Sequence, residues 1–252
     1  MPWEHEIQIA LPRSYAQGER RYPVLWVMDG STTFNVAVET ARRVARHVPV
    51  MIIVGVGAPQ EAMGEFQNRR GYEFGSREPW VETSAPGRDV YLKSAKELDD
   101  ATSKGGFGKI VKSGGAGDFL SFLIEEVRPA LARQYRMTET HIIYGHSGGG
   151  TFCTFALLAR PDSFAKYICS SAALYGGNTH LFELERRYAD AHADLQADVS
   201  FSAGEAEIIQ RTIAGIGVVS STVRMAEVLS ERRYPSLSLS MRVFTAEDHG
   251  SV

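Results

Sequence analysis

The chain has 252 residues, of which 44% are hydrophobic and 23% charged, with 27 Lys and Arg against 30 Asp and Glu for a formal charge of −3. These values exclude disordered and fibrous classes, and they supply neither the basic footprint of a nucleic-acid binder nor a bias toward a membrane surface. The length fits one large domain over 1–252 better than two, burying roughly 70% of the surface that the unfolded chain exposes.

The N-terminus, Met1-Pro2-Trp3-Glu4-His5-Glu6, is acidic and has no apolar leader core, and nowhere do about 18 apolar residues run together, so a soluble, cytoplasmic chain is expected. The alternating stretch Glu6 to Leu11 before Pro12 reads as a half-exposed strand near a sheet edge. Apolar runs bounded by Gly, Pro or Asp follow: Pro23 to Met28, Val50 to Val56, His141 to Tyr144, Lys166 to Ser170, Val199 to Ala203 and Leu237 to Thr245. Between them lie segments of helical period: Phe34 to Arg46; Phe119 to Tyr135, capped by Asp118 and kinked or divided by Pro129; Gly148 to Ala159, stopped by Pro161; His180 to Leu195; and Thr222 to Arg233. Strands alternating with helices predict an α/β fold, a mostly parallel central sheet with helices on both faces.

The stretch from Gln60 to Gly117 breaks the alternation and reads as a loop insertion at about 60–117. Its aromatic and cationic groups, Arg69, Arg70, Tyr72, Phe74, Trp80 and Tyr91, are suited to lining a substrate pocket. Its glycine-rich end is no phosphate loop, because Ile110 stands after Gly108-Lys109 where Ser or Thr would be required. Cys153 and Cys169 sit in apolar segments without C-x-x-C spacing, so buried reduced thiols are expected and neither a zinc site nor a disulfide framework is indicated.

The chemistry concentrates at Gly145-His146-Ser147-Gly148-Gly149, a G-x-S-x-G pattern directly after an apolar strand and directly before an apolar helix. That context puts the Ser147 hydroxyl at the tip of a strained turn, clear of the sheet, with the first amides of the new helix aimed at developing negative charge. A serine hydroxyl needs an imidazole to take its proton. Of the seven histidines, His249 is the candidate base, since it follows the last strand at the end of the sheet where loops gather. His146 adjoins the serine and should point away around the turn. An acid to orient the imidazole should come after a strand between the two. Glu207 and Glu205 both stand just past Val199–Ala203, with Glu207 preferred, while Asp194 and Asp198 lie before that strand. Gly148 supplies one oxyanion-hole amide, and the loop Met28-Asp29-Gly30-Ser31 supplies the other from Ser31 or, less favourably, Gly30, with Asp29 as a turn residue.

Taken together, Tyr22-Pro23-Val24-Leu25-Trp26-Val27-Met28-Asp29-Gly30, Gly145-His146-Ser147-Gly148-Gly149, Arg160-Pro161-Asp162-Ser163-Phe164 and Asp248-His249-Gly250-Ser251-Val252 resemble the putative esterase family. That family groups enterochelin (siderophore) esterases, feruloyl esterases and S-formylglutathione hydrolases. The likeness runs from about Glu6 to Val252. It implies an α/β-hydrolase fold, Ser147 as nucleophile, His249 as base, and Glu207, three residues after the strand-ending Gly204, as the acid. Many relatives carry Asp at the acid position, and most continue into a closing helix after the histidine.

The expected activity is therefore carboxylic-ester hydrolysis through an acyl-enzyme on a small-molecule substrate, without cofactor or metal. Alternatives are a siderophore trilactone esterase, with Arg69, Arg70 and the nearby aromatics holding anionic catechol rings, an acyltransferase, and a non-catalytic hydrolase-fold binder.

Overall fold

The computed structural model describes residues 1–76, 96, 100, 104–106, 108, 112–174, 180–210 and 213–252. Trp80 and Tyr91, two of the aromatics expected in the insertion, and Lys109-Ile110 lie outside the described residues.

Among the described residues seven strands form one sheet: β1 (Glu6–Ala10), β2 (Tyr22–Met28), β3 (Ile52–Gly57), β4 (Met137–His146), β5 (Lys166–Ser170), β6 (Ala197–Gly204) and β7 (Leu237–Phe244). Their spatial order is β1-β3-β2-β4-β5-β6-β7. Among the described strands only β1 runs antiparallel, and it lies at the edge beside β3, as its alternating sequence predicts. The other strands pair in parallel, with Trp26 opposite Val54 on one side and Ile143 on the other. The chain builds outward from β2 in one direction and then from β4 in the other. The switch point therefore falls between β2 and β4, where open α/β sheets place ligands beyond the carboxyl ends of their strands.

Most helices occupy one face. These are α2 (Phe66–Phe74), α3 (Ala116–Ser121), a π-helical stretch Phe122–Val127, α4 (Arg128–Ala132), α5 (Gly148–Ala159), α6 (His180–Ala191) and α7 (Val218–Arg232). They close over one large core that includes Val24, Trp26, Ile143, Tyr167, Val199 and Phe201 from the sheet, and Phe119, Phe152, Leu181 and Met225 from the helices. The helix α1 (Gly30–Arg43) covers the opposite face with a smaller cluster around Val27, Val38 and Ile53. Away from α1, Ile142 and Ile168 on that face are only half-buried. This explains why odd positions of β4 from His141 to Gly145 are buried while Ile142 and Tyr144 are not.

Of four expectations about these elements, three are corrected and one is met. The Gln60–Gly117 stretch contains regular structure: a 3-10 turn Gln60–Glu65 followed by α2. Its apolar pattern is masked by charged residues that are themselves buried, Arg69 and Glu73, four residues apart on one helix face. Second, Asp118 does not cap its helix, because α3 starts two residues earlier behind Gly115. The amides of Gly115 and Ala116 bond the carbonyls of Tyr72 and Gly75, so contact with α2 sets that helix start. Third, the division expected at Pro129 is met: a π-helical stretch, Phe122–Val127, precedes it, and Pro129 falls in the first turn of α4, where its missing donor is least costly. Fourth, Cys153 of α5 and Cys169 of β5 form a disulfide with Cα atoms 5.5 Å apart, in place of two reduced thiols. The fold lays α5 directly on β5, so sixteen residues of separation do not prevent the pairing.

Candidate active site

At the end of β4 the chain turns directly into α5, and Ser147 occupies that turn with φ 58° and ψ −120°. A non-glycine residue there is strained by about 1–3 kcal/mol, so the surrounding contacts must hold it in place. They are visible. The Ser147 amide donates to the Ser170 carbonyl of β5 at 2.9 Å, and its own carbonyl accepts from the Thr151 amide. Gly145 is required by close approach: a Cβ on it would lie 2.0 Å from the Gly149 carbonyl oxygen.

Ser147 Oγ stands 2.9 Å from His249 Nε2, and His249 Nδ1 stands 2.6 Å from Glu207 Oε1. The second carboxylate oxygen of Glu207 accepts the Gly204 amide at 3.0 Å. Glu207 belongs to a 3-10 turn (Glu205–Ile208) that follows β6, and it is 1% exposed. Burial alone would raise its carboxyl, but the hydrogen bonds from His249 and the Gly204 amide outweigh that and hold it below the ordinary glutamate value.

His249 lies on the loop after β7, and its backbone amide donates to the Gln210 side chain at 3.0 Å. Glu205 reaches the same loop from the other side, where its carboxylate accepts the Ala246 amide at 3.0 Å. The two competing glutamates thus take different partners: Glu207 the imidazole, Glu205 the backbone of the loop that carries it.

The expectation that His146 points away from the site is overturned. Its ring centroid lies 4.7 Å from that of His249, at 46°. Burial, the neighbouring His249 and Arg70 together push its pKa down to about 4, so it sits as a neutral ring against the second imidazole.

Ser31 lies in the first turn of α1 and Gly148 opens α5. First-turn amides have no helical carbonyl to meet, and these two flank the switch point from β2 and β4. Asp29, the N-cap of α1, is buried and left-handed at φ 56°. Burial raises its carboxyl even though Arg70 acts to lower it. Arg70 donates through Nε to both Asp29 oxygens, at 3.0 and 2.9 Å, and through Nη2 to the His146 carbonyl at 3.2 Å.

Arg69 and Tyr72, expected in the substrate pocket, are engaged elsewhere. Arg69 is 4% exposed, donates to the Glu4 carbonyl and lies over the Trp3 ring. Tyr72 packs edge-on against Trp3 and donates to Asp118. Both anchor the N-terminal segment on α2, because α2 turns its 69 and 72 positions toward that segment and its 70 position toward the switch point. The sequence carried no signal for Gln210, and charge alone could not separate Arg70 from Arg69.

A seven-stranded, mostly parallel sheet with a serine on the strand-to-helix turn of its central strand defines an α/β-hydrolase. The family model for "putative esterase" matches residues 1–101 and 93–207, and the chain belongs to that family and is a serine ester hydrolase. Among its relatives, the siderophore enterobactin esterase of Emericella nidulans is 25% identical over 277 residues, covering 98% of this chain and 85% of that one. The ferri-bacillibactin esterase BesA of Bacillus subtilis is 29% identical over 160 residues, covering 61% of this chain and 48% of the relative. The solved structure of the siderophore hydrolase EstA from Aspergillus nidulans superposes with a TM-score of 0.75 at 21% identity, covering 98% of this chain and 85% of that one. Among the described residues no helix is long and apolar enough to cross a membrane.

Proposed function

We propose that this esterase cleaves the ester bonds of iron-chelating siderophores, with Ser147 as nucleophile, His249 as general base and acid, and Glu207 holding the imidazole. The observation that carries the residue assignment is the unbroken chain from Ser147 Oγ through His249 to Glu207 at 2.9 and 2.6 Å. The substrate class rests on the relatives named above.

Ser147 Oγ attacks the ester carbonyl carbon while His249 Nε2 takes its proton, and Glu207 stabilises the imidazolium that forms. The carbonyl oxygen becomes an oxyanion, received by the amides of Gly148 and Ser31. His249 then returns the proton to the departing alkoxide, leaving an acyl-serine and a free alcohol. Water, deprotonated by the same imidazole, attacks the acyl-serine, and the imidazolium returns that proton to Ser147 Oγ as the carboxylic acid leaves.

A direct comparison of enterobactin with p-nitrophenyl acetate tests both halves. Enterobactin should be hydrolysed with a kcat/KM higher by orders of magnitude, and equal values would remove the substrate assignment. Ser147→Ala should abolish turnover of both esters and covalent labelling by a fluorophosphonate; retained turnover would remove the nucleophile.

A further inference from the structure

An aspartate at an N-cap ordinarily turns its carboxylate onto the amides of its own helix. Asp29 does not: its side chain makes no capping bond to α1. The carboxylate is instead turned inward and gripped by Arg70 Nε at 3.0 and 2.9 Å. The hydroxyls of Thr32 and Thr33 donate to the Asp29 carbonyl and fix the turn. The diverted carboxylate is thus not engaged by the Ser31 amide of its own helix.

The same guanidinium reaches the second loop. Besides its bond to the His146 carbonyl, Arg70 lies against Gly148, where a Cβ would meet Cζ at 3.1 Å and Nη1 at 3.2 Å. The glycine after the serine therefore makes room for this side chain. The plane is held from behind by the rings of Phe66 and Phe74, 6.0 and 5.7 Å away. One planar, multiply donating group joins the loop bearing Ser31 to the loop bearing Gly148, which a lysine could not do.

We propose that Arg70, anchored on Asp29, is the positioning residue of the oxyanion hole, setting the distance between the Ser31 and Gly148 amides. This rests on the assignment of those two amides under the proposed function. It differs from a role in holding a substrate anion, because Nε and Nη2 are already bonded to the protein.

The test uses Arg70→Ala, Arg70→Lys and Asp29→Asn in the full chain, with a neutral p-nitrophenyl ester and a boronic acid that mimics the tetrahedral adduct. Displacing an oxyanion-hole donor should lower kcat by about 10–100-fold in all three variants with KM within about threefold. The boronic acid should weaken by the same factor as kcat/KM, and millimolar guanidinium should restore part of the Arg70→Ala turnover. Unchanged kcat would overturn the proposal, as would a defect that appears only in KM and only for anionic esters. If Arg70→Ala does not fold, the two milder variants decide the matter. Ser147→Ala separates this idea from its foundation. Turnover surviving in that variant sinks the nucleophile, whereas an inert Ser147→Ala beside fully active Arg70→Lys and Asp29→Asn sinks only the clamp.

Discussion

Glu207 Oε1 lies 2.6 Å from His249 Nδ1, and the two residues are 42 positions apart in the chain. The contact fixes which ring nitrogen carries a proton, because an ionised carboxylate can only accept. Glu207→Gln should therefore lower kcat by about three powers of ten, by favouring the wrong tautomer while preserving shape. Glu205→Gln keeps an oxygen that can accept the Ala246 amide and should cost less than about tenfold. Steady-state kinetics of the two variants on p-nitrophenyl acetate decide between the carboxylates, and the reverse ranking would transfer the orienting role to Glu205.

The φ of 58° at Ser147 makes a second prediction. Both Ser147→Ala and Ser147→Gly remove the hydroxyl, but only glycine relieves the backbone strain. The glycine variant should be more stable than the alanine variant by about 1 kcal/mol in urea unfolding. Equal stabilities would mean that the turn is not strained.

Stability should fall as the solution is acidified through the range set by His141. This ring is 5% exposed and accepts the Trp26 indole N–H at Nδ1, 3.1 Å away. Burial, and then the charge of Arg128, push its pKa from 6.5 to about 4. Between those two values the unfolded chain binds a proton that the folded chain refuses, so the unfolding free energy decreases as pH falls. The contribution is complete above 6.5 and lost by about 4, on the order of 2 kcal/mol. His141→Asn keeps an acceptor for Trp26 without titrating in this range, and should lessen the pH dependence of the urea midpoint, leaving the share that His146, held down to the same value, contributes. An unchanged slope would exclude His141 as its source.

Cys153 and Cys169 close a loop with a sequence separation of 16, and a cross-link of that span stabilises by about 3 kcal/mol. Thiol titration of the denatured chain should find no free sulfhydryl until reductant is added. The double variant Cys153→Ala/Cys169→Ala should unfold at correspondingly lower urea. Two titratable thiols in chain purified without reductant would show the pair open.

Much of the frame was legible because strands and helices in this fold follow local pattern. The antiparallel edge strand announced itself by alternation before Pro12, and the helix Gly148–Ala159 matches the observed one residue for residue. Ser147, His249 and Glu207 could be singled out because the turn chemistry of G-x-S-x-G and the places where strands end are written in neighbouring residues. Other features have no local trace. The α2 helix hides under charges that become buried only when it docks. The cysteines meet because α5 crosses β5, and the diversion of Asp29 onto Arg70 joins residues 41 positions apart. Sequence determined which residues could do the chemistry, since periodicity and turn propensity act over a few residues. Tertiary structure alone decided which charged groups face one another, since that depends on how elements distant along the chain pack.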